Sequence, residues 1–183
     1  MSIMKAPLNW SLHPARTFSI PCFSPHRMKN VLKWIFGAGV VIFALMQFIN
    51  PARTNPPVVH DFLAMNMPPP KIAAVLRVSC YDCHSHETRW PWYSHVAPVS
   101  WLVASDVKEG RRHLNFSDWP VDNPDRAVRW LENISEQLGY KEMPPAKYTL
   151  IHANARLTAA EREQLIQWVE QETAKLKSPA KGK

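Results

Sequence analysis

The sequence predicts an all-α protein in which a small helical domain is preceded by a single transmembrane segment. Few stretches alternate apolar and polar residues as half-buried strands do, whereas apolar residues recur at three- and four-residue intervals in several segments. Glycine is scarce, with 5 residues among 183, and proline is abundant, with 17. We therefore expect helices joined by extended, proline-rich connections.

The first 27 residues show no apolar periodicity and carry one of the three cysteines, Cys22. Met28-Lys29-Asn30 directly precedes an apolar run, as the start of an exported protein does. We expect translation to begin at Met28, so that residues 1–27 are a disordered extension or an artefact of start-site assignment.

Residues 31–49 form an apolar run, VLKWIFGAGVVIFALMQFI, that is interrupted only by Lys33 and Gln47. Its length is close to the roughly 20 residues that a membrane-spanning helix needs. Basic residues lie at its N-terminal end, whereas only Arg53 follows closely, so the positive-inside rule puts the N-terminus in the cytoplasm. Residues 28–50 are thus expected to be a transmembrane anchor. A cleaved signal peptide is the alternative, although no good small-residue cleavage site follows the run.

One domain is expected after the anchor, because about 130 residues are enough to bury a core. Successive prolines predict extended backbone at residues 51–57 and 66–70. The first of these stretches is the expected tether to the domain, residues 58–175, and a basic tail, residues 176–183, follows it.

Four segments of this domain place apolar residues on one helical face. They are residues 71–79, 100–112, 124–138 and 158–175. The third begins with Pro124 after Asn123, a favourable N-cap, and ends at Gly139. The fourth opens with Thr158 and Glu161 at the spacing of a capping box.

The most specific pattern in the chain is Cys80-Tyr81-Asp82-Cys83-His84, which leads out of the first of these helices. Two cysteines separated by two residues and followed by histidine form the attachment sequence of c-type haem. Each thiol adds across one porphyrin vinyl group to form a thioether, and the adjacent imidazole becomes the proximal iron ligand. The pattern predicts one covalent haem c per chain, bound through Cys80 and Cys83 and ligated by His84.

Zinc, a dithiol or disulfide, and coincidence are the alternatives for this motif. A structural zinc site usually needs a second cysteine pair or a spaced histidine pair, and the only other cysteine is Cys22. A thioredoxin-type dithiol belongs in a βαβ setting, which the surrounding residues do not predict. Coincidence is disfavoured because only three cysteines are present.

Met143 is the best candidate for the sixth ligand of the iron. Its thioether is a soft ligand that raises the potential of haem iron, and Pro144 and Pro145 stiffen the loop behind it. A core methionine packed on the haem edge is the structural alternative. A second histidine, His113 or His152, remains an open alternative. Met65 and Met67 precede the motif and are weaker candidates.

The outline resembles that of class I c-type cytochromes, with the motif after an N-terminal helix and the methionine in a late loop. More closely, the chain resembles the bacterial haem-binding domain family of small CxxCH proteins over roughly residues 58–170. The residues that carry this resemblance lie at positions 79–85, 88–93, 97–102, 109–111, 114–119, 143–145, 148, 152 and 157–168. The resemblance implies haem c and an exported domain, but no defined reaction.

Segment 87–119 departs from class I cytochromes in its many aromatic residues. They are Trp90, Trp92, Tyr93, Trp101, Phe116 and Trp119. We expect these rings to wall the haem crevice and exclude water. Alternatively, Trp90 or Trp92 is exposed as an electron-transfer contact. Nearby basic residues are candidate partners of the haem propionates; they are His86, Arg89, Arg111 and Arg112.

The expected function is that of a membrane-anchored monohaem c-type cytochrome that carries single electrons in the bacterial periplasm, with His84 and Met143 bound throughout. No catalytic residue is expected. The net charge of +7 favours an acidic redox partner. The alternative is a haem sensor or peroxidase-like domain with an open sixth site, which would require His113 or His152 as a distal base. A third hypothesis is an exported zinc or disulfide domain. Nucleic-acid binding is disfavoured because the charge is scattered and the domain is exported.

Overall fold

The computed structural model describes residues 25–178, and every regular element in this part of the chain is helical. The one β-type contact among these residues is an isolated parallel bridge between His60 and Asp118. The all-α prediction is therefore confirmed. The described part of the chain divides into two compact units, residues 25–42 and 43–178. Most of the expected N-terminal extension and of the expected basic tail lies outside the described residues.

Helix α1 spans Pro25–Met46 and contains the predicted apolar run. Within it, the 20 residues Arg27–Met46 contain an 18-residue window with a mean hydropathy of 1.5 and are long and apolar enough to cross a membrane. Apolar side chains such as Trp34 and Phe36 are exposed. The helix is compatible with a membrane anchor and equally with a signal sequence.

Seven further α-helices follow in the second unit, together with two 3-10 turns, Trp92–His95 and Ala153–Ala155. The helices are α2 Phe62–Asn66, α3 Pro70–Ser79, α4 Tyr81–His84, α5 Val99–His113, α6 Pro124–Gly139, α7 Ala146–Ile151 and α8 Ala159–Lys177. The four predicted helices correspond to α3, α5, α6 and α8, with ends within two residues of those expected. The sequence did not predict α2, α4 and α7, which are too short to show a period.

The helix starts that the sequence predicted are formed by the expected side chains. The carboxamide oxygen of Asn123 accepts from the backbone N–H of Arg126 at 2.9 Å. Thr158 Oγ1 accepts from the N–H of Glu161 at 3.2 Å, and the Glu161 carboxylate accepts from the N–H of Thr158 at 2.9 Å. The predicted capping box is therefore present at the start of α8.

Residues 66–70, which we expected to be extended, form the junction between two helices, and only residues 67–69 there lack regular structure. Asn66 ends α2, Pro70 begins α3, and Met67 between them has a left-handed backbone with φ 42°. Proline fits the first turn of α3 because the N–H that it lacks has no partner there.

The core lies between α6 and α8 and extends to the residues around the motif. Phe62 stands at its centre, with its ring centroid 5.0 Å from Phe116 and 4.4 Å from Trp119. Tyr81, the second residue of the motif, stacks on Phe116 at 5.0 Å. Phe116 and Trp119, which we expected in a crevice wall, therefore pack in the main core. The motif contacts this core through Tyr81.

Residues 51–57 have no regular secondary structure, and hydrogen bonds hold this segment against the domain. Arg111 on α5 donates to the Thr54 carbonyl at 2.8 Å and to the Asn55 side chain at 2.9 Å. His86 Nδ1 donates to the Pro57 carbonyl at 2.9 Å. The connection from α1 is thus part of the domain surface.

Candidate functional site

The two cysteines of the motif lie on one helical turn. Cys80 caps the C-terminus of α3 and precedes α4, and its carbonyl accepts from the N–H of Cys83 at 3.2 Å and of His84 at 3.0 Å. Residues three apart around such a turn lie on one side of it, and Cys83 is close enough to Cys80 to be one cause of its raised pKa. The turn therefore presents two thiols together and the imidazole directly after them.

The imidazole of His84 is fixed by its Nδ1 atom, which lies 2.9 Å from the carbonyl oxygen of Gly110 and 3.2 Å from that of Leu114. Since a carbonyl only accepts, Nδ1 carries the proton and Nε2 keeps its lone pair. Burial lowers the pKa of His84, which favours the neutral ring. A neutral, oriented imidazole with a free Nε2 is suited to ligate a metal.

Gly110 lies where α5 crosses closest to the motif. A Cβ atom at this position would lie 2.6 Å from the carbonyl oxygen of Cys83, too close for any other residue without a backbone shift. The sequence placed Gly110 near the end of a helix but gave no signal of this contact, because Cys83 and Gly110 are distant in the chain.

The chemistry of the thiols fits thioether formation better than metal–thiolate binding. Burial raises the pKa of Cys80 to about 12 and that of Cys83 to about 11, so the surroundings disfavour a negative charge. A thioether sulfur is uncharged, whereas zinc requires thiolates. Within residues 25–178, no group of three or more His, Cys, Asp or Glu side chains could hold a metal ion.

Trp90, six residues after His84, has a buried indole N–H that lacks a hydrogen-bond partner. A buried donor without an acceptor costs about 1–3 kcal/mol, so such an atom is typical of a place that a ligand completes. A haem propionate would supply the missing acceptor. From the sequence, Trp90 was expected as a ring in the crevice wall or as an exposed electron-transfer contact, not as a hydrogen-bond donor to the cofactor.

The basic residues expected to bind the propionates already have partners within the chain. Arg111 donates to the Ser85 carbonyl at 2.7 Å and to Thr88 Oγ1 at 2.9 Å, besides the connecting segment. Arg89 binds the carboxylate of Asp82, and Arg112 binds that of Glu109. His86 Nε2 lies 2.8 Å from the side-chain nitrogen of Asn115. These side chains organise the loops around the motif.

Helix α7 is attached to the motif through Asp82. The Tyr148 hydroxyl donates to Asp82 Oδ2 at 2.8 Å, and Arg89 approaches the same carboxylate from the other side. His152, at the end of α7, stacks on Tyr148 with ring centroids 4.4 Å apart. Its Nε2 atom lies 2.5 Å from the Tyr93 hydroxyl. The region after Met143 is therefore bound to the motif at Asp82 and to the 3-10 turn Trp92–His95 at Tyr93.

Met143 lies in the loop between α6 and α7, three residues before Ala146, and is half-buried. The guanidinium of Arg162 on α8 donates to its carbonyl at 3.0 Å and to the Leu138 carbonyl at 2.9 Å. Among the alternatives, His113 is largely exposed beside Glu109, and Met65 and Met67 are exposed.

The aromatic residues of the expected crevice wall occupy different environments. Trp90 and Trp101 are half-buried, whereas the Trp92 side chain is 79% exposed and touches the edge of Tyr93 at a centroid distance of 5.9 Å. The exposure of Trp92 favours the alternative interpretation of a contact surface.

Comparison with known proteins identifies the class of cofactor. The haem-binding domain family matches residues 41–171. Cytochrome c peroxidase Ccp of Escherichia coli (strain K12) is 26% identical over 113 residues, which cover 57% of this chain and 23% of that protein. The chain thus corresponds to less than a quarter of that relative's length. No solved structure matches. Because the family match covers well over half of the chain and includes the whole site described above, this haem protein belongs to the haem-binding domain family.

Proposed function

We propose that this protein is a membrane-anchored monohaem c-type cytochrome that carries single electrons in the bacterial periplasm. The observation that carries the proposal is the arrangement at the motif. Two thiols share one turn, and the next side chain is a half-buried, neutral imidazole whose Nδ1 is already bonded to the Gly110 carbonyl. Cys80 and Cys83 would hold the haem covalently, and His84 Nε2 would ligate the iron.

The haem iron would alternate between the ferric and ferrous states. It would accept one electron from a reduced partner protein and donate it to an oxidised one. The chain's own residues bind and orient it. The Nδ1–H bond of His84 to Gly110 prevents ring rotation and increases the basicity of Nε2. No side chain needs to gain or lose a proton during such a transfer, so no general acid or base is required.

Met143 is the proposed sixth ligand. Its loop is restrained on both sides, by Arg162 at its own carbonyl and by the Tyr148–Asp82 hydrogen bond beyond it. A restrained loop loses little entropy when a weak thioether ligand binds. Permanent ligation by two side chains would keep substrates from the iron, which is the property of an electron carrier.

The proposed location follows from α1 and from the cofactor. Covalent haem c attachment takes place outside the cytoplasm, and Arg27–Met46 is long enough to anchor the domain in the inner membrane. The redox partner would be a periplasmic or membrane protein. The net charge of +7 does not describe the exported surface, because five of the 22 basic residues precede Val40, and residues 51–183 hold 17 Lys and Arg against 15 Asp and Glu.

An oxidised and a reduced visible spectrum tests the proposal, with protein produced in a host that matures c-type haem. We expect a low-spin haem that shows the weak long-wavelength sulfur-to-ferric-iron band and does not bind carbon monoxide. The haem should remain on the denatured chain, and Cys80→Ala with Cys83→Ala should abolish this attachment. A low-spin spectrum without the sulfur band would show that the sixth ligand is a histidine and not Met143. Haem that extracts into acidified solvent would contradict the covalent site.

A haem-based peroxidase or sensor is the second candidate, favoured by the similarity to a cytochrome c peroxidase. It requires an iron whose sixth position opens to a small ligand. His152, Tyr93 and Tyr148 form a polar group attached to the motif, and they are the side chains that could exchange protons there. A high-spin spectrum that shifts with carbon monoxide, together with peroxide turnover, would favour this function over electron transfer.

A further inference from the structure

The connection after α1 joins the domain almost at once. Gln47, the first residue after the helix, is hydrogen-bonded in both directions to Ala97. The Ala97 N–H donates to Gln47 Oε1 at 3.0 Å, and Gln47 Nε2 donates to the Ala97 carbonyl at 3.3 Å. Two residues later, the Trp101 indole N–H donates to the Ile49 carbonyl at 2.8 Å. All of these residues belong to the second unit. Hydrogen bonds thus attach residues 47–49, near the start of this unit, to the first turn of α5 and the residue Ala97 before it.

Exposed apolar side chains lie close in sequence to the residues that make these hydrogen bonds. Phe48 and Ile49 are 82% and 64% exposed, and they follow Gln47 directly. Val99 and Leu102 lie three residues apart on α5, on one side of the helix, and Leu102 is 63% exposed. Trp92 belongs to the 3-10 turn that packs against α5. We call these five residues the apolar face.

Charged residues are absent from both stretches of sequence that form this face. No Asp, Glu, Lys or Arg occurs from Trp34 to Ala52 or from Trp90 to Ser105. The Gln47–Ala97 hydrogen bonds join these two stretches. A surface exposed to water, or one that binds an acidic protein, is expected to carry charged residues. A surface in contact with lipid is expected to lack them.

The short segment between α1 and Ile49 sets an upper limit on the distance between this face and a bilayer that α1 crosses. An α-helix rises about 1.5 Å per residue, so the 20 residues Arg27–Met46 span about 30 Å, the thickness of the hydrocarbon core. From Met46 to Ile49 even an extended chain covers at most about 10 Å. The headgroup layer on each side is about 5–8 Å thick. With α1 across the bilayer, Ile49 and the Trp101 indole bound to it therefore lie within this layer or at most a few ångströms beyond it.

We propose that the apolar face rests in the headgroup region of the bilayer that α1 crosses, so that the haem domain is seated on lipid. The inference depends on the anchor in the proposed function. Tryptophan prefers this region because its ring is apolar and its indole N–H is polar, which suits an exposed Trp92. A seated domain would hold the haem-attachment turn at one height and orientation above the membrane.

Photo-crosslinking of the full-length haem protein in nanodiscs tests this placement. The photoreactive residue p-benzoylphenylalanine replaces Trp92, and in separate samples Trp34 in α1 or Tyr140. Tyr140 is a matched control, since it is aromatic and 68% exposed but lies beside the charged Lys141 and Glu142. We expect lipid adducts at positions 34 and 92, and severalfold fewer at 140. A second sample with the photoreactive residue at Leu102 repeats the test in case the Trp92 variant does not take up haem.

The four positions separate failure of the inference from failure of the anchor. Adducts at position 34 with none at 92 and 102 would overturn lipid seating and leave the anchor intact. Equal yields at 92 and 140 would also overturn it, as would protein adducts at 92 in place of lipid. The absence of adducts at every position, with release of the protein by alkaline carbonate, would overturn the anchor itself.

Discussion

Gly110 controls His84 in two ways at once. Its carbonyl oxygen lies 2.9 Å from Nδ1 of the imidazole and orients the ring, and its missing side chain lets α5 approach the backbone of Cys83. Both effects depend on the same few ångströms of separation between α5 and α4. The position of the imidazole that we propose as the proximal ligand therefore depends on the backbone of α5 at Gly110.

Gly110→Ala should destabilise the haem protein and disturb its proximal ligand. The new Cβ would lie 2.6 Å from the Cys83 carbonyl, and such overpacking costs about 1–3 kcal/mol. This loss exceeds the roughly 1 kcal/mol that alanine gains over glycine inside a helix. Urea unfolding gives the change in free energy, and the haem-to-protein ratio gives the efficiency of attachment.

Gly139→Ala is the matched control, because Gly139 also lies in a helix but a Cβ there meets nothing within 4 Å. We expect this variant to be as stable as the parent or slightly more stable. If Gly110→Ala were as stable as the parent, α5 could not lie as close to the Cys83 carbonyl as described.

Trp90→Phe should lower the reduction potential and shift its pH dependence to higher pH. The substitution keeps an aromatic ring and removes the buried N–H that lacks a partner in the protein. If that N–H donates to a propionate, its loss leaves the negative charge less compensated, which favours ferric iron and raises the propionate pKa. Potentiometric titration between mildly acidic and neutral pH measures both changes.

Trp101→Phe provides the comparison, since the Trp101 N–H already donates to the Ile49 carbonyl at 2.8 Å. It should leave the potential and its pH dependence unchanged. Equal effects of the two substitutions, or no effect of Trp90→Phe, would show that Trp90 does not contact the cofactor.

Features that depend on neighbouring residues could be predicted from the sequence. Asn123 and Thr158 were recognised as helix N-caps because the groups that they bind lie three residues away, and both caps are present. Helices of three or more turns were found by their apolar period. The five residues of the motif were sufficient to identify the candidate haem site.

Features that depend on distant residues could not be predicted. The contact of Gly110 with Cys83 and the hydrogen bond from Tyr148 to Asp82 join parts of the chain far apart in sequence, and neither leaves a local pattern. The unpaired N–H of Trp90 is likewise visible only once the surrounding side chains are placed. These three relations are also the ones that describe how the site would hold its cofactor.

Met143→Ala should open the iron to external ligands. Loss of the thioether would remove the sulfur-to-ferric-iron band, lower the potential and allow carbon monoxide to bind the reduced protein. Met67→Ala is the control, because Met67 is 82% exposed and should leave the spectrum unchanged. An unaltered spectrum for Met143→Ala would exclude Met143 as the ligand, and His152→Ala would then be the variant to compare.

Arg162→Met should weaken ligation by Met143 without touching the ligand itself. The guanidinium donates to the carbonyls of Leu138 and Met143 and so fixes the loop against α8. Hydrogen bonds from a charged donor contribute about 1.5–3 kcal/mol, and methionine retains the apolar stem of arginine while removing both. We expect a weaker sulfur-to-iron band and partial binding of carbon monoxide, with covalent haem unchanged.

Two further variants separate positioning from general stability. Arg162→Lys retains a donor that can reach one of the two carbonyls, so it should restore part of the sulfur band. Arg129→Met removes an exposed arginine from α6 and should alter neither the band nor carbon monoxide binding. If Arg162→Met lowered the free energy of unfolding but left the iron spectrum intact, Arg162 would support the fold alone. If the band weakened and Arg162→Lys recovered it, α8 would act on the iron through the backbone of its methionine ligand.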